Sequence, residues 1–315
     1  MSNPLIEGTP PTIRPTVSYR VSVWRTPLGR FILFAVVLTA LFAKWLGHLV
    51  VYVAASNLHS YILLVPIVSA YLFYDRRSRL PGSYKSSPLL ALTSLLVGLT
   101  ALLLARIASR LAAEDYLTFV ALSFVCLLAA AGFAFLGRHW MAAAFFPFAF
   151  LIFIIPLPSA IVDALETASK LASTEAADMF FNLTGTPVLR NGTIFQLPNI
   201  TIQVGQECSG IRSSLVLVIT SLVAANLFLQ TPWRRAVIVA FVIPLGILRN
   251  GFRVWTIATL CIQYGPQMIH SVVHRRGGPL FFVLSLIPLF LLLWWLRRGE
   301  QKSELRCQRS EVRRA

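Results

Sequence analysis

The sequence is poor in acidic charge. Twelve residues are acidic against 28 basic, for a net charge of +16, and only 13% of the chain is charged at all. Such an imbalance often marks a nucleic-acid binder. Here the basic residues stand in short loops and tails between long apolar runs, the distribution of cytoplasmic charge in membrane proteins. A nucleic-acid partner is therefore not expected. Cysteine is scarce too. Cys126, Cys208, Cys261 and Cys307 are scattered, without a C-x-x-C. Neither a zinc cage nor a disulfide framework fits that spacing, and no metal or cofactor is expected. Cys126 and Cys261 lie in apolar surroundings and read as small core filler. Cys307 lies in a polar tail, and Cys208 alone has polar neighbours. Internal repeats and low-complexity segments are absent. So is the early apolar core with a small-residue cleavage site that marks a signal peptide, and the first span, near Phe31, is expected to stay as an anchor.

Apolar sequence is what abounds. Hydrophobic residues make up 57% of the chain and mean hydropathy is +0.72, above the usual 45–50% apolar content of about that order in soluble domains. The excess is gathered into runs that predict an all-α polytopic membrane protein with about eight transmembrane helices. The spans fall near 31–53, 60–74, 88–107, 116–136, 140–157, 210–229, 236–256 and 279–296, the second short enough to be tilted or re-entrant. With eight spans, Arg14 to Arg30, the loop DRRSRLPGSYK, Arg138, Arg234, Arg235 and the tail from Arg297 all fall on one side. The positive-inside rule makes that side cytoplasmic. Arg106 and Arg110 break the trend. The chain then divides into a cytoplasmic segment (1–30), helices one to five (31–157), an extracytoplasmic cap (158–207), helices six to eight (208–296) and a basic tail (297–315).

The cap segment begins with Ile161, Leu165, Ala168, Leu171, Ala172, Ala176 and Met179 at helical spacing, an amphipathic helix. Asn191-Gly192 then signals a tight turn. Phe195 and Leu197, followed by Ile200, Ile202 and Val204, alternate with polar residues across Pro198-Asn199, as in a small β-hairpin or meander.

Three polar groups gather at the outer helix ends. QECSGIRS, residues 206–213, places Cys208 where the sixth span begins. Unpaired N–H groups and the positive end of the dipole favour a thiolate there. Arg212 lies one turn on and can add positive field, and Gly210 permits close approach. The seventh span carries Arg249, Asn250 and Arg253 on one face near its outer boundary. Either arginine can instead snorkel to the interface, Arg249 the more readily. His270 and His274 precede the eighth span. A thiolate can attack a carbonyl and form a thioester, a histidine can shuttle the proton, and an arginine can stabilise the oxyanion. Together they are the parts of a metal-free thiol acyl transferase.

The order Cys208-Ser209-Gly210-Ile211, then Asn250-Gly251-Phe252-Arg253, then His274 with Gly277-Gly278 and Phe281-Phe282 resembles the exosortase/archaeosortase family of membrane transpeptidases. Residues 57–77 and 155–166 extend the likeness. The resemblance implies a bacterial enzyme of the cytoplasmic (inner) membrane with its active site on the extracytoplasmic side. Its partners would be the lipid bilayer and membrane-anchored proteins ending in a PEP-CTERM-like sorting tail, which it would cleave and transfer. It implies Cys208, Arg253 and His274 as the catalytic set, His274 fitting the glycine-pair spacing better than His270. Asn250, Arg212, Glu207, His59 and His270 are candidate substrate contacts. Two other classes remain open: a transporter, for which Pro244 and Gly246 would break the seventh helix, and a non-catalytic scaffold for exopolysaccharide export.

Overall fold

Backbone that cannot bond to water must bond to itself, and apolar runs of this length do so as helix. A computed structural model describes residues 26–56, 58–108, 113–198, 200–205, 210–270 and 277–312. Helix α1 (Pro27–Leu41) starts at Thr26, whose hydroxyl accepts from the Gly29 amide at 3.1 Å, with proline in the first turn. After a 67° bend at Phe42 comes α2 (Ala43–Ala55). A 3-10 turn, Ser60–Leu64, leads into α3 (Val65–Arg76). Helices α4 (Pro88–Ala108) and α5 (Ala113–Ala131) lie side by side. The stretch that follows is interrupted: α6 (Arg138–Ala143), α7 (Phe145–Phe150) and a 3-10 turn, Leu151–Ile154. Helix α8 (Ser159–Leu183) leaves it at 92°. Asp115, in the first turn of α5, secures that corner by accepting from the Ser159 amide at 3.0 Å and its hydroxyl at 3.3 Å. After the strands come α9 (Ile211–Phe228), α10 (Pro232–Tyr264) and α11 (Gly278–Val312).

Among the described residues, five helical segments are long and apolar enough to cross a bilayer: Pro88–Ile107, Glu114–Leu136, Ile211–Phe228, Pro232–Tyr264 and Gly278–Lys302. The number rises to seven if each of the two bent pairs, α1 with α2 and α7 with α8, counts as one span. These five match expected spans. The short second span is the 3-10 turn plus α3, whose 12 residues reach only about 18 Å against a hydrocarbon core of about 30 Å. The fifth expected span is the interrupted stretch before α8.

Three short antiparallel strands, β1 (Leu189–Asn191), β2 (Ile194–Leu197) and β3 (Ile200–Gln203), form a meander in that order. Asn191 pairs with Ile194 around Gly192, and Leu197 pairs with Ile200. The expected alternation is met: Phe195, Leu197, Ile202 and Val204 are buried against Ala177 and Phe181 of α8 and Val254 and Ala258 of α10. Arg190 of β1 forms ion pairs with Glu175 and, at 3.5 Å, with Asp178 on α8. Its hydrogen bond to Glu175 holds that carboxyl below its ordinary range.

The buried face of α8 differs from the expected apolar stripe. Ser173, Thr174, Ala176, Ala177 and Phe181 are buried, whereas Ile161, Leu165, Leu171 and Met179 are exposed. A Cβ on Gly251 of α10 would lie 2.5 Å from the Ala176 Cβ, so small residues bring the two backbones together.

The sheet defines one end of the bundle. At the other, Glu300 of α11 accepts from the amides of Gln230 and Thr231 and closes the α9–α10 turn, and Arg76 of α3 bonds to Asn226 of α9.

Candidate active site

The sheet end of α9 is built around Gly210. This residue caps the helix with φ of 71°, a left-handed conformation that glycine adopts without strain. It also admits Asn250, since a Cβ here would stand 2.7 Å from that side chain's Cγ and Oδ1. The Gly210 carbonyl accepts from the Ser214 amide at 3.0 Å, the Ser213 hydroxyl at 3.1 Å and Arg249 Nη2 at 3.2 Å. Arg249 Nη2 also reaches Ser214 Oγ at 3.3 Å. Burying a guanidinium is costly unless it is hydrogen-bonded, and Arg249 is 7% exposed. The sequence suggests that Arg249 snorkels. Instead it turns inward and fastens α10 to the first turn of α9. The clue available in the sequence was the pair of small hydroxyls, Ser213 and Ser214, beside a glycine.

Asn250 is 2% exposed and Arg253, one turn on, is half-buried. Phe252 meets Phe281 of α11 edge-on, with centroids 6.2 Å apart, and the Phe281 amide bonds to the Gly277 carbonyl at 3.0 Å. Gly210, just after the Cys208 segment, therefore lies against Asn250, and Phe281, one turn beyond the His274 segment and Gly277, lies against Phe252 of the same turn of α10. Glu207, Cys208 and His274 themselves lie outside the described residues, as does the side chain of His270. Arg212 is exposed in the first turn of α9.

His59 is set apart from this cluster in its bonding. It is 3% exposed, its Nδ1 lies 3.2 Å from Ser56 Oγ, and its ring tilts against Tyr52 at 5.7 Å. Burial pushes its pKa down, opposed in part by Glu114.

Helix α10 runs unbroken through Pro244 and Gly246. At Gly246 a Cβ would stand 2.9 Å from Ser214 Oγ, so that glycine serves contact with α9 and not a break. The broken helix expected of a transporter is absent from α10.

The profile of the transmembrane exosortase family, of the EpsH type, matches residues 52–291, well over half of the chain. The chain belongs to that family. The matched region of this exosortase runs from α2 into α11, and takes in the sheet and every candidate site residue. Neither a curated protein nor a solved structure matches the chain. As an exosortase family member it is a multi-pass membrane protein of a class that processes proteins bearing C-terminal sorting signals.

Proposed function

We propose that the chain is a cysteine transpeptidase or protease that cleaves PEP-CTERM-like sorting tails at the outer face of the bacterial inner membrane. The observation that carries this reading is the Gly210 junction. Two residues after Cys208, the chain is fastened by Asn250 and Arg249 to the turn of α10 that bears Arg253. Such a junction keeps the nucleophile's loop and the oxyanion-binding arginine in register. Two guanidinium groups one turn apart also favour an anion beside them.

In the first step the Cys208 thiol gives its proton to His274, and the thiolate attacks the scissile carbonyl. Arg253 stabilises the oxyanion. The C–N bond breaks, the leaving amine takes the proton from His274, and a thioester remains. An acceptor amine, or water, then gives a proton to His274 and attacks the thioester, and Cys208 leaves as the thiolate. Arg212, Glu207 and His270 are assigned to substrate contacts, whereas Asn250 and His59, expected in the same role, are buried and pack against Gly210 and Tyr52 instead. On this reading the 3-10 turn with α3 and the interrupted stretch before α8 each count as a span, which makes eight, and both termini and the basic tail then lie in the cytoplasm. Helix α8 and the sheet then form an extracytoplasmic cap, where β3 leads into Cys208.

Two experiments test this. Co-expression with a membrane protein carrying a Pro-containing motif, one apolar span and a basic cluster should yield a shortened product. Mass spectrometry of its new C-terminus reads the acceptor, and no cleavage by wild-type enzyme of any such tail encoded in the same genome would refute the function. For the orientation, a variant with Cys208 as its single cysteine should react in intact cells with a small impermeant thiol reagent. Protection of Cys208 with labelling only after lysis would reverse the topology.

A further inference from the structure

At the end of the bundle opposite the sheet, a cavity of about 300 Å³ opens between the start of α10 and the last membrane turns of α11. It is lined by Trp233, Arg234, Trp295, Arg298 and Lys302, with Leu296 and Gly299 at its floor. Three cations thus face one pocket. The nearest carboxylate in sequence, Glu300, is 5% exposed, accepts from the Gln230 and Thr231 amides and interacts with Arg234, so one carboxylate stands against three cations and positive charge remains in excess. Arg234 Nη1 donates to the Leu296 carbonyl at 2.7 Å, while its Nε is buried and has no partner among the described residues. Gly299 shapes the floor, because a Cβ there would lie 3.3 Å from Arg234 Nη1. The guanidinium is held in place with donor capacity to spare.

We propose that this cavity binds the phosphate headgroup of an anionic phospholipid. Phosphate chemistry follows from the cations, since guanidinium groups match phosphate oxygens in fork geometry. A lipid rather than a free phosphate follows from what adjoins the cavity. On α11, Leu284, Ile287, Leu291 and Trp295 are all exposed at helical spacing, and the same face continues into Arg298 and Lys302. On α10, exposed Trp233 is followed one turn on by exposed Val237. Two apolar stripes therefore lead out of one cationic pocket, and two tryptophans stand at the junction, 58% and 64% exposed. Apolar stripe, aromatic band and basic mouth follow the order of acyl chain, glycerol and headgroup in a phospholipid. A zwitterionic headgroup would bring an ammonium to the same cations, so the net charge selects an anionic lipid.

The test uses the full chain purified in neutral detergent, titrated separately with phosphatidylglycerol, phosphatidylcholine and inorganic phosphate, with thermal unfolding and native mass spectrometry as readouts. Phosphatidylglycerol should raise Tm and remain bound, while phosphatidylcholine and phosphate at equal concentration should do neither. Arg234→Gln with Arg298→Gln should weaken phosphatidylglycerol binding at least about tenfold. Arg77→Gln with Arg79→Gln, which removes the same charge elsewhere at this end, should change it less than about twofold. Because Arg234 also bonds to Leu296, Arg298→Gln with Lys302→Gln is the second variant, on exposed side chains, and should show the same loss. Equal stabilisation by phosphatidylcholine would overturn the charge selectivity, and stabilisation by inorganic phosphate would overturn the lipid. Unchanged phosphatidylglycerol affinity in the Arg298/Lys302 variant would overturn the site.

Discussion

Cys208→Ala should abolish tail cleavage while the protein stays in the membrane at its normal level. Neither of the two described cysteines can replace it. Cys261 is buried and Cys126 is half-buried within α5, so neither can meet a substrate carbonyl. The loss should reach the limit of detection, because a missing nucleophile removes the covalent route rather than weakening it, and members of such a set act as a unit. With a cognate substrate and no acceptor, wild-type enzyme should accumulate a hydroxylamine-sensitive adduct on Cys208. Arg253→Lys should lose activity by about 10²–10³-fold, close to the effect of alanine, since a point charge does not replace a planar fork. His274→Ala should be severely impaired and His270→Ala much less so. Continued processing by Cys208→Ala would end the nucleophile assignment, and an active His274→Ala beside a dead His270→Ala would exchange the two histidines.

Gly210→Ala should be strongly damaging to activity although glycine has no functional group of its own. Two costs add. A φ of 71° costs an alanine about 1–2 kcal/mol. The new methyl would also meet Asn250 Cγ at 2.7 Å, so either α9 or Asn250 must move. Arg249 would be displaced as well, because its acceptor is the same residue's carbonyl. A displacement of about 1 Å at reacting groups can cost about 10²-fold in rate, so kcat should fall by at least that much. Gly210→Ala combined with Asn250→Ala removes the clash but not the φ strain. It should recover Tm more than it recovers kcat. Normal kcat in the single variant, measured on detergent-purified enzyme, would show that the junction does not set the geometry of the reaction.

What could be read from the sequence was whatever depends on periodicity or on charge. The long apolar runs located five spans, although the seventh and eighth run on to Tyr264 and Lys302, past the expected ends at 256 and 296, and alternation at Phe195, Leu197, Ile202 and Val204 anticipated the inner face of the sheet. The packing of α9, α10 and α11 on one another fits the expectation that Cys208, Arg253 and His274 belong to three consecutive helical segments, but α10 runs on to Tyr264, so Arg253 stands well inside that helix and not at its end. Less visible were features set by shape. The bend at Phe42 follows no proline or glycine. The α8 interface uses Ser173 and Ala177 in place of Leu165 and Leu171, because α10 approaches so closely at Gly251 that only small side chains fit between the two backbones. Arg249 looked like an interfacial cation because only three dimensions reveal that Gly210 and Ser214 lie opposite it.

Helix α10 has a consequence for where in the membrane this chemistry takes place. Being unbroken over 33 residues, it works as a gauge rod. At about 1.5 Å per residue, Arg234 and Arg253 stand about 28 Å apart along it, close to the thickness of a hydrocarbon core. The rod cannot shorten, and in the proposed orientation Arg234, Trp233 and the α11 cations would moor its lower end to the cytoplasmic interface. A thicker bilayer must therefore drown the upper arginine, and a thinner one must lift it clear. If Arg253 binds the scissile carbonyl as proposed, the depth at which a membrane-anchored peptide meets it is set by the lipid as much as by the protein, so bilayers of different acyl length would select differently among otherwise identical tails.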